Sequence, residues 1–143
     1  ISNIFLPESL LHIETNAFAF NNIQNLVIPN SVISIGNQAF DWHELTSLVI
    51  QNNLEYKAQN NLLMTNDNKH LLGGIGKFNS IVIPNTIETI ADSAFRDNEL
   101  TNITIPNTVQ ELGNFSFMQN KLTKIIIPES ITSIGKSTFF NKW

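Results

Sequence analysis

The side chains that could perform metal chemistry are few and widely separated. The three histidines, His12, His43 and His70, fall in different phases of the sequence pattern and form no H-x-x-x-H or H-E-x-x-H spacing. The chain has no cysteine, which removes thiolate ligands, thiol nucleophiles and disulfides. We therefore expect surface or turn histidines, no metal site and no other cofactor.

Residue patterns for nucleophilic, phosphate-binding or acid–base chemistry are also missing. No serine lies in a G-x-S-x-G nucleophile elbow. The run Gly73–Lys77 has Leu71 where a phosphate loop needs its first glycine and Phe78 where it needs Ser or Thr. Acidic residues such as Asp97 and Glu99 scatter over predicted turns, which favours solvated carboxylates. The sequence predicts that the chain is not an enzyme.

Composition narrows the possible partners. The 143 residues carry 8 basic and 12 acidic side chains, a net charge of −4, with no basic cluster, which argues against a nucleic-acid surface. No apolar run approaches the ~20 residues of a membrane span, and no signal peptide opens the chain, so membrane insertion is not expected. Asparagine occurs 21 times against 6 glycines and 5 prolines, which indicates many similar turns.

The prolines reveal an internal repeat. Pro7, Pro29, Pro84, Pro106 and Pro128 are separated by 22, 55, 22 and 22 residues. The long interval accommodates one proline-less unit boundary at Gln51 and one enlarged unit after it. Self-similarity at this period is typical of a solenoid, in which each unit buries its apolar side only by stacking on its neighbours.

Other residue types keep the same register. Aliphatic side chains stand one and three residues before each proline and three and six after it, and a small residue stands at ten. Position eleven is phenylalanine in five units: Phe18, Phe40, Phe95, Phe117 and Phe139. The alternation before proline predicts a short strand, pairing in parallel with the next coil about 4.8 Å away. A second short extended segment follows, and we expect the small residue and phenylalanine in a helical or 3₁₀ turn.

Two polar positions in the repeat have predicted structural roles. Asn21, Asn98 and Asn120 occupy one position, with His43 as the exception, and are predicted to pair with backbone groups of the neighbouring coil. Gly36, Gly113 and Gly135 lie seven residues after proline and predict a turn with positive φ.

Residues 51–80 interrupt the pattern. Residues 61–65 and 70–73 have strand character and flank the polar stretch 66–69, which predicts a β-hairpin insertion with a four-residue loop. Two interpretations remain open: an architectural variant that bends the solenoid, or a protruding loop that contacts a partner.

The repeat resembles the BspA-like (Treponema-type) leucine-rich repeats along essentially the whole chain. Residues 81–103, IVIPNTIETIADSAFRDNELTNI, carry the pattern most fully, although the units are 22 residues and not the family's usual 23, and asparagine replaces its frequent cysteine. The resemblance implies an α/β-repeat solenoid of about six coils, in one domain over 1–143. We place the repeats near 1–25, 26–47, 48–80 (enlarged, with Tyr56 like a tyrosine of the family's hairpin-bearing unit), 81–102, 103–124 and 125–143.

The same resemblance implies a bacterial cell-surface or secreted protein that acts in adhesion or host-protein contact. A candidate protein-binding face follows from the strand before proline, whose second and fourth residues before proline should point outward. The apolar column comprises Phe5, Val27, Val49, Val82, Thr104 and Ile126. The polar column beside it comprises Asn3, Asn25, Ser47, Ser80, Asn102 and Lys124. The preference of strands for β-branched residues explains the apolar column equally well.

Two further expectations concern the whole protein. The segment between Ile1 and Trp143 lacks polar caps, so we expect a fragment of a longer protein, or ends that pair with another molecule and allow self-association. The alternative to a binding module is a structural spacer that presents another domain.

Overall fold

A computed structural model describes residues 1–142; the expectation that Trp143 covers the last coil lies outside them. Its strands are short: β1 His12–Ile13, β2 Asn25–Ile28, β3 Ser34–Ile35, β4 Ser47–Ile50, β5 Tyr56–Gln59, β6 Leu62–Thr65, β7 His70–Gly74, β8 Thr89–Ile90, β9 Glu111–Leu112 and β10 Ser133–Ile134. One 3₁₀ helix spans Trp42–Glu44. Repeat units, here called rungs, stack with a spacing of about 22 residues into a β-solenoid of about six turns.

Each rung has three sides. The first side is the strand before proline, where β2 pairs in parallel with β4 over its full length. Proline then opens a turn closed by a backbone hydrogen bond to its own carbonyl, as when the N–H of Ile87 donates to Pro84 at 3.1 Å. The second side carries the strands five and six residues after proline, and the third side carries the phenylalanine turn. Parallel stacking of equivalent segments is what the 22-residue period requires.

Backbone pairing differs between the first two sides. The second side forms a six-stranded sheet in the order β10-β9-β8-β7-β6-β5 and a separate pair β1-β3. Outside the β2-β4 pair, the first side shows only isolated bridges, Asn3 with Asn25 and Val82 with Thr104. The sheet hydrogen bonds therefore concentrate on the second side.

The enlarged unit is part of the sheet and is not a separate hairpin insertion. β6 and β7 run antiparallel on either side of residues 66–69, but β5 adds a third antiparallel strand and β7 continues in parallel into β8. Leu62, Leu63 and Met64 are all buried, so β6 faces apolar surroundings on both sides. Burial of both faces explains why this segment joins the solenoid and does not protrude as a two-stranded loop.

The phenylalanine turn contains no helix, so the α/β label is wrong for the described residues. Hydrogen bonds from residue i+3 to residue i close these turns, as from the N–H of Ala94 to the carbonyl of Ala91. The residue nine after proline has positive φ in all five units that contain proline: Asn16, Gln38, Ser93, Phe115 and Ser137. A left-handed residue in the middle of the segment stops helix propagation.

The repeated glycines have a different role from the predicted one. Among the glycines, positive φ occurs only at Gly76, at 92°. A Cβ on Gly36 would lie 2.3 Å from the backbone nitrogen of Thr15, and one on Gly135 would lie 2.4 Å from that of Asn114. Glycine is therefore required because the backbones of successive rungs approach closely there, and the expected positive-φ turn lies two residues later.

The phenylalanines form two stacks in the interior. Rings of Phe95 and Phe117 are 5.3 Å apart, and those of Phe117 and Phe139 are 5.6 Å apart, all nearly parallel. Phe18 and Phe40 form the other stack at 5.1 Å. The single column expected from the sequence is interrupted at the enlarged unit.

Two adjacent glycines of β7 connect the two stacks. A Cβ on Gly73 would lie 2.5 Å from the ring of Trp42, and one on Gly74 would lie 2.8 Å from the ring of Phe95. Trp42 in turn contacts Phe40, with ring centroids 5.5 Å apart. The bare backbone of β7 thus lies between aromatic rings, which gives the Gly73–Gly74 pair a packing role.

The buried asparagines form hydrogen bonds to neighbouring rungs, as the sequence predicts. Asn120 donates through Nδ2 to the carbonyl oxygens of Phe95 at 2.8 Å and Phe117 at 3.0 Å, and its Oδ1 accepts the N–H of Leu100. Asn98 accepts the N–H of Phe78 in the same way. These bonds satisfy backbone groups that turns would otherwise leave unpaired inside the protein.

Asn53 is a further buried asparagine, which the repeat pattern does not predict. Its Nδ2 donates to the carbonyls of Pro29 and Val32 at 3.1 and 2.7 Å, and its Oδ1 accepts the N–H groups of Glu55 and Tyr56. This side chain joins the proline turn of one rung to the start of the enlarged unit.

Candidate functional site

The first side of the solenoid presents the apolar column to solvent. Alternation along β2 buries Leu26 and exposes Val27. Parallel pairing places Val49 beside Val27, and an isolated bridge places Thr104 beside Val82. The exposed fraction is 96% for Phe5, 84% for Val82 and 74% for Ile126, values that are unusual for large apolar side chains.

The polar column runs beside it at the fourth residue before each proline. Asn25 and Ser47 pair across β2 and β4. Asn102 and Lys124 are exposed in the later rungs. The two columns together form a surface of aliphatic side chains flanked by amide, hydroxyl and ammonium groups.

The candidate residues gather around two shallow depressions, one toward each end of the first side. The first, about 350 Å³, is lined by Asn3, Phe5, Asn25 and Val27 among others. The second, about 320 Å³, is lined by Asn102, Thr104, Lys124 and Ile126 among others. Val49 and Val82 line neither depression, so the columns are continuous in position but offer their concave surface at the two ends.

The histidines lie apart. Nδ1 of His12 is 2.8 Å from Oγ of Ser34, and Nδ1 of His70 is 2.6 Å from Oγ1 of Thr89. Nε2 of His43 is 3.2 Å from the carboxylate of Glu44. Within residues 1–142, no group of three or more His, Asp or Glu side chains is placed to hold a metal ion.

A larger polar groove, about 560 Å³, lies on the second side, and the sequence reasoning missed it. The enlarged unit builds part of its lining with Tyr56, Thr65 and His70. The regular rungs contribute the outward residue of each strand, including Thr89 and Glu111. The groove therefore exists where the enlarged unit meets the regular repeat.

Side chains eight residues after proline form a polar ladder along this groove. Asp92 accepts the backbone N–H of Asn114 at 2.8 Å and the Nδ2 groups of Asn37 and Asn114. Asn114 in turn accepts the backbone N–H of Lys136. The spacings 37 to 92 and 92 to 114 are 55 and 22 residues, those of the prolines, so this ladder was detectable in the sequence.

The loop between β6 and β7 carries the one carboxyl group with a resolved pKa shift. The hydroxyl of Thr65 donates to Asp67 at 2.6 Å and the N–H of Lys69 donates to it at 3.0 Å. These hydrogen bonds hold the pKa of Asp67 below its ordinary value, with smaller contributions from the charges of His70 and Lys69.

Stacked parallel rungs with one buried phenylalanine turn and one strand before proline define a leucine-rich-repeat solenoid. The chain belongs to the BspA type leucine rich repeat family, whose model matches residues 1–71 and 68–143, in six copies. A comparison with curated proteins gives no match.

Solved bacterial structures share the fold. A leucine-rich repeat protein from Eubacterium ventriosum has 27% identity and a TM-score of 0.81, covering 91% of this chain and 37% of that one. A leucine rich cell surface protein from Faecalibacterium prausnitzii has 24% identity and a TM-score of 0.79, covering 98% and 45%. The pneumococcal vaccine antigen PcpA has 21% identity and a TM-score of 0.75, covering 92% and 40%. The chain thus spans less than half of each of these structures.

Across residues 1–142, no helix has the length and apolar character needed to cross a membrane.

Proposed function

We propose that this chain is a non-catalytic protein-binding module of a bacterial cell-surface or secreted protein, acting in adhesion or contact with a host protein. The observation that carries the proposal is the exposed apolar column, with Phe5, Val82 and Ile126 almost entirely in solvent. Exposed apolar side chains aligned along one side of a solenoid are typical of protein contact surfaces. The titles of two structural neighbours, a cell surface protein and a vaccine antigen, support the location.

The apolar column is the proposed contact surface, and the polar column gives it direction. Phe5 and Val27 at one depression would supply apolar anchors, and Ile126 would supply one at the other. Asn25, Asn102 and Lys124 would donate hydrogen bonds at the rim. Strand preference alone explains valine and threonine in such a column, but it gives no reason for a phenylalanine that is 96% exposed.

A charge-substitution experiment tests the proposal. The test variant carries lysine at Val27, Val49, Val82 and Thr104. The matched control variant carries four lysines at exposed positions of the second side: Leu11, Ile33, Gln110 and Thr132. Both are immobilised at equal density against a panel of purified host extracellular proteins, and circular dichroism checks that each remains folded.

The expected result is capture by the wild-type chain and by the control variant, with loss of capture in the test variant. Equal capture by the two variants would contradict the contact surface. Absence of binding by all three would favour the structural spacer. Sedimentation of the wild-type chain at several concentrations tests the further proposal of self-association, which predicts a mass that rises with concentration.

A further inference from the structure

We infer that the polar groove on the second side is a separate binding site for a basic, extended peptide segment of a partner protein. Its volume of about 560 Å³ lies in the range of sites that hold several residues of a ligand. The groove lies on another side of the rungs from the apolar column, so this inference does not depend on the contact surface proposed above.

The charges that line the groove favour a cationic occupant. Its lining contains the carboxylates of Asp92 and Glu111 and no lysine or arginine. Lys69 and Lys136 stand next in sequence to lining residues, but Lys69 is paired with Glu88 at 3.1 Å. Glu111 has no ion pair or side-chain hydrogen bond among the described residues, so its carboxylate remains free to bind an ammonium or guanidinium group.

Other lining groups suit a peptide backbone. The hydroxyl oxygen of Tyr56 accepts the N–H of Ile35 at 3.0 Å, and its own proton has no acceptor within residues 1–142. That proton can be donated to a carbonyl oxygen of a ligand. Side chains from successive parallel strands, such as Thr89 and Glu111, stand in register along the groove, which suits a ligand that crosses the rungs.

The backbone around the groove departs from regular pairing. The register between β6 and β7 shifts between Leu63 and Met64, which leaves Leu72 as the extra residue of a β-bulge. Leu72 lines the groove. Bulges occur preferentially beside binding sites, where they redirect a side chain. The enlarged unit thereby creates a polar groove that a regular succession of rungs would lack.

The binding experiment uses the whole chain and a fluorescent acetyl-Lys-Ala-Lys-Ala-Lys-amide peptide, in which alternate lysines project from one face. The matched acidic peptide carries glutamate at the three lysine positions. Fluorescence anisotropy at low ionic strength is compared for the wild-type chain, Glu111→Lys and the control Glu129→Lys. Glu129 is exposed and lies outside the groove, so the two variants carry the same change in net charge.

We expect the basic peptide to bind, the acidic peptide not to bind, and Glu111→Lys to weaken binding at least tenfold while Glu129→Lys changes it less than twofold. Amide chemical shifts should change around Tyr56, His70 and Thr89. Equal effects of the two variants, or shift changes on the first side, would overturn the inference. The Val27, Val49, Val82 and Thr104 lysine variant should bind the peptide at least as well as wild type, which separates failure here from failure of the apolar column.

Discussion

Truncation of Phe117 measures how much the stacked interior stabilises the solenoid. Its ring is 1% exposed and lies between the rings of Phe95 and Phe139, 5.3 and 5.6 Å away. Phe117→Ala removes this burial and leaves a cavity that the two neighbouring rings cannot both fill. The free energy of unfolding should fall by about 3–5 kcal/mol, the usual loss for a buried phenylalanine.

Urea unfolding followed by circular dichroism provides the assay, with the free energy extrapolated linearly to water. Because a loss of that size can unfold a small domain, Phe117→Leu gives a milder second point, expected at about 1–2 kcal/mol. The matched control is Phe20→Ala, since Phe20 is 82% exposed and its truncation should cost less than about 0.5 kcal/mol. If Phe117→Ala and Phe20→Ala had equal effects, the stacked interior would be wrong.

Three other perturbations test separate parts of the structure. Asn120→Ala should cost about 2–4 kcal/mol in urea unfolding, because it strands two buried carbonyls and an N–H, and Asn141→Ala is the exposed-side comparison. Gly135→Ala should cost about 1–3 kcal/mol because its Cβ would lie 2.4 Å from a backbone atom, and an unchanged melting temperature would refute that close approach. Asp67, whose pKa is lowered in the folded state, contributes stability above its unfolded pKa that is lost as pH falls through the folded pKa; NMR titration should show this pKa rising in Thr65→Val.

The sequence predicted the features that repeat with the proline register. The 22-residue spacing, the outward position of residues such as Val27 and the hydrogen bonds of Asn120 follow from one rung and its copy. A rung that repeats has nearly the same surroundings each time, so local pattern suffices to infer contacts between neighbours.

The remaining features depend on contacts that one rung does not contain. The role of Gly135 depends on how closely the next backbone approaches, which no residue pattern specifies. The left-handed position held by Phe115 lacks the glycine or asparagine that would reveal it. The polar groove depends on the path of residues 51–80, because Asn37 meets Asp92 only after that unit has turned back on itself.

The candidate binding residues were located by the same alternation that locates the core, and the structure exposes each of them. The groove residues were not found, since Tyr56 and His70 come from the irregular unit and join Glu111 only through strand order. Surfaces built by regular repetition can therefore be predicted from this sequence, whereas a surface built by its interruption requires the fold.

The most direct test of the stacked rungs is a nuclear Overhauser measurement on a chain with ring-labelled phenylalanine. Cross-peaks should connect the ring protons of Phe95 with those of Phe117, and those of Phe117 with those of Phe139, because their centroids lie 5.3 and 5.6 Å apart. Direct cross-peaks between Phe95 and Phe139 should be absent, since the ring of Phe117 lies between them. Absence of the Phe95–Phe117 cross-peak, with both rings assigned, would contradict the solenoid and the surfaces proposed on it.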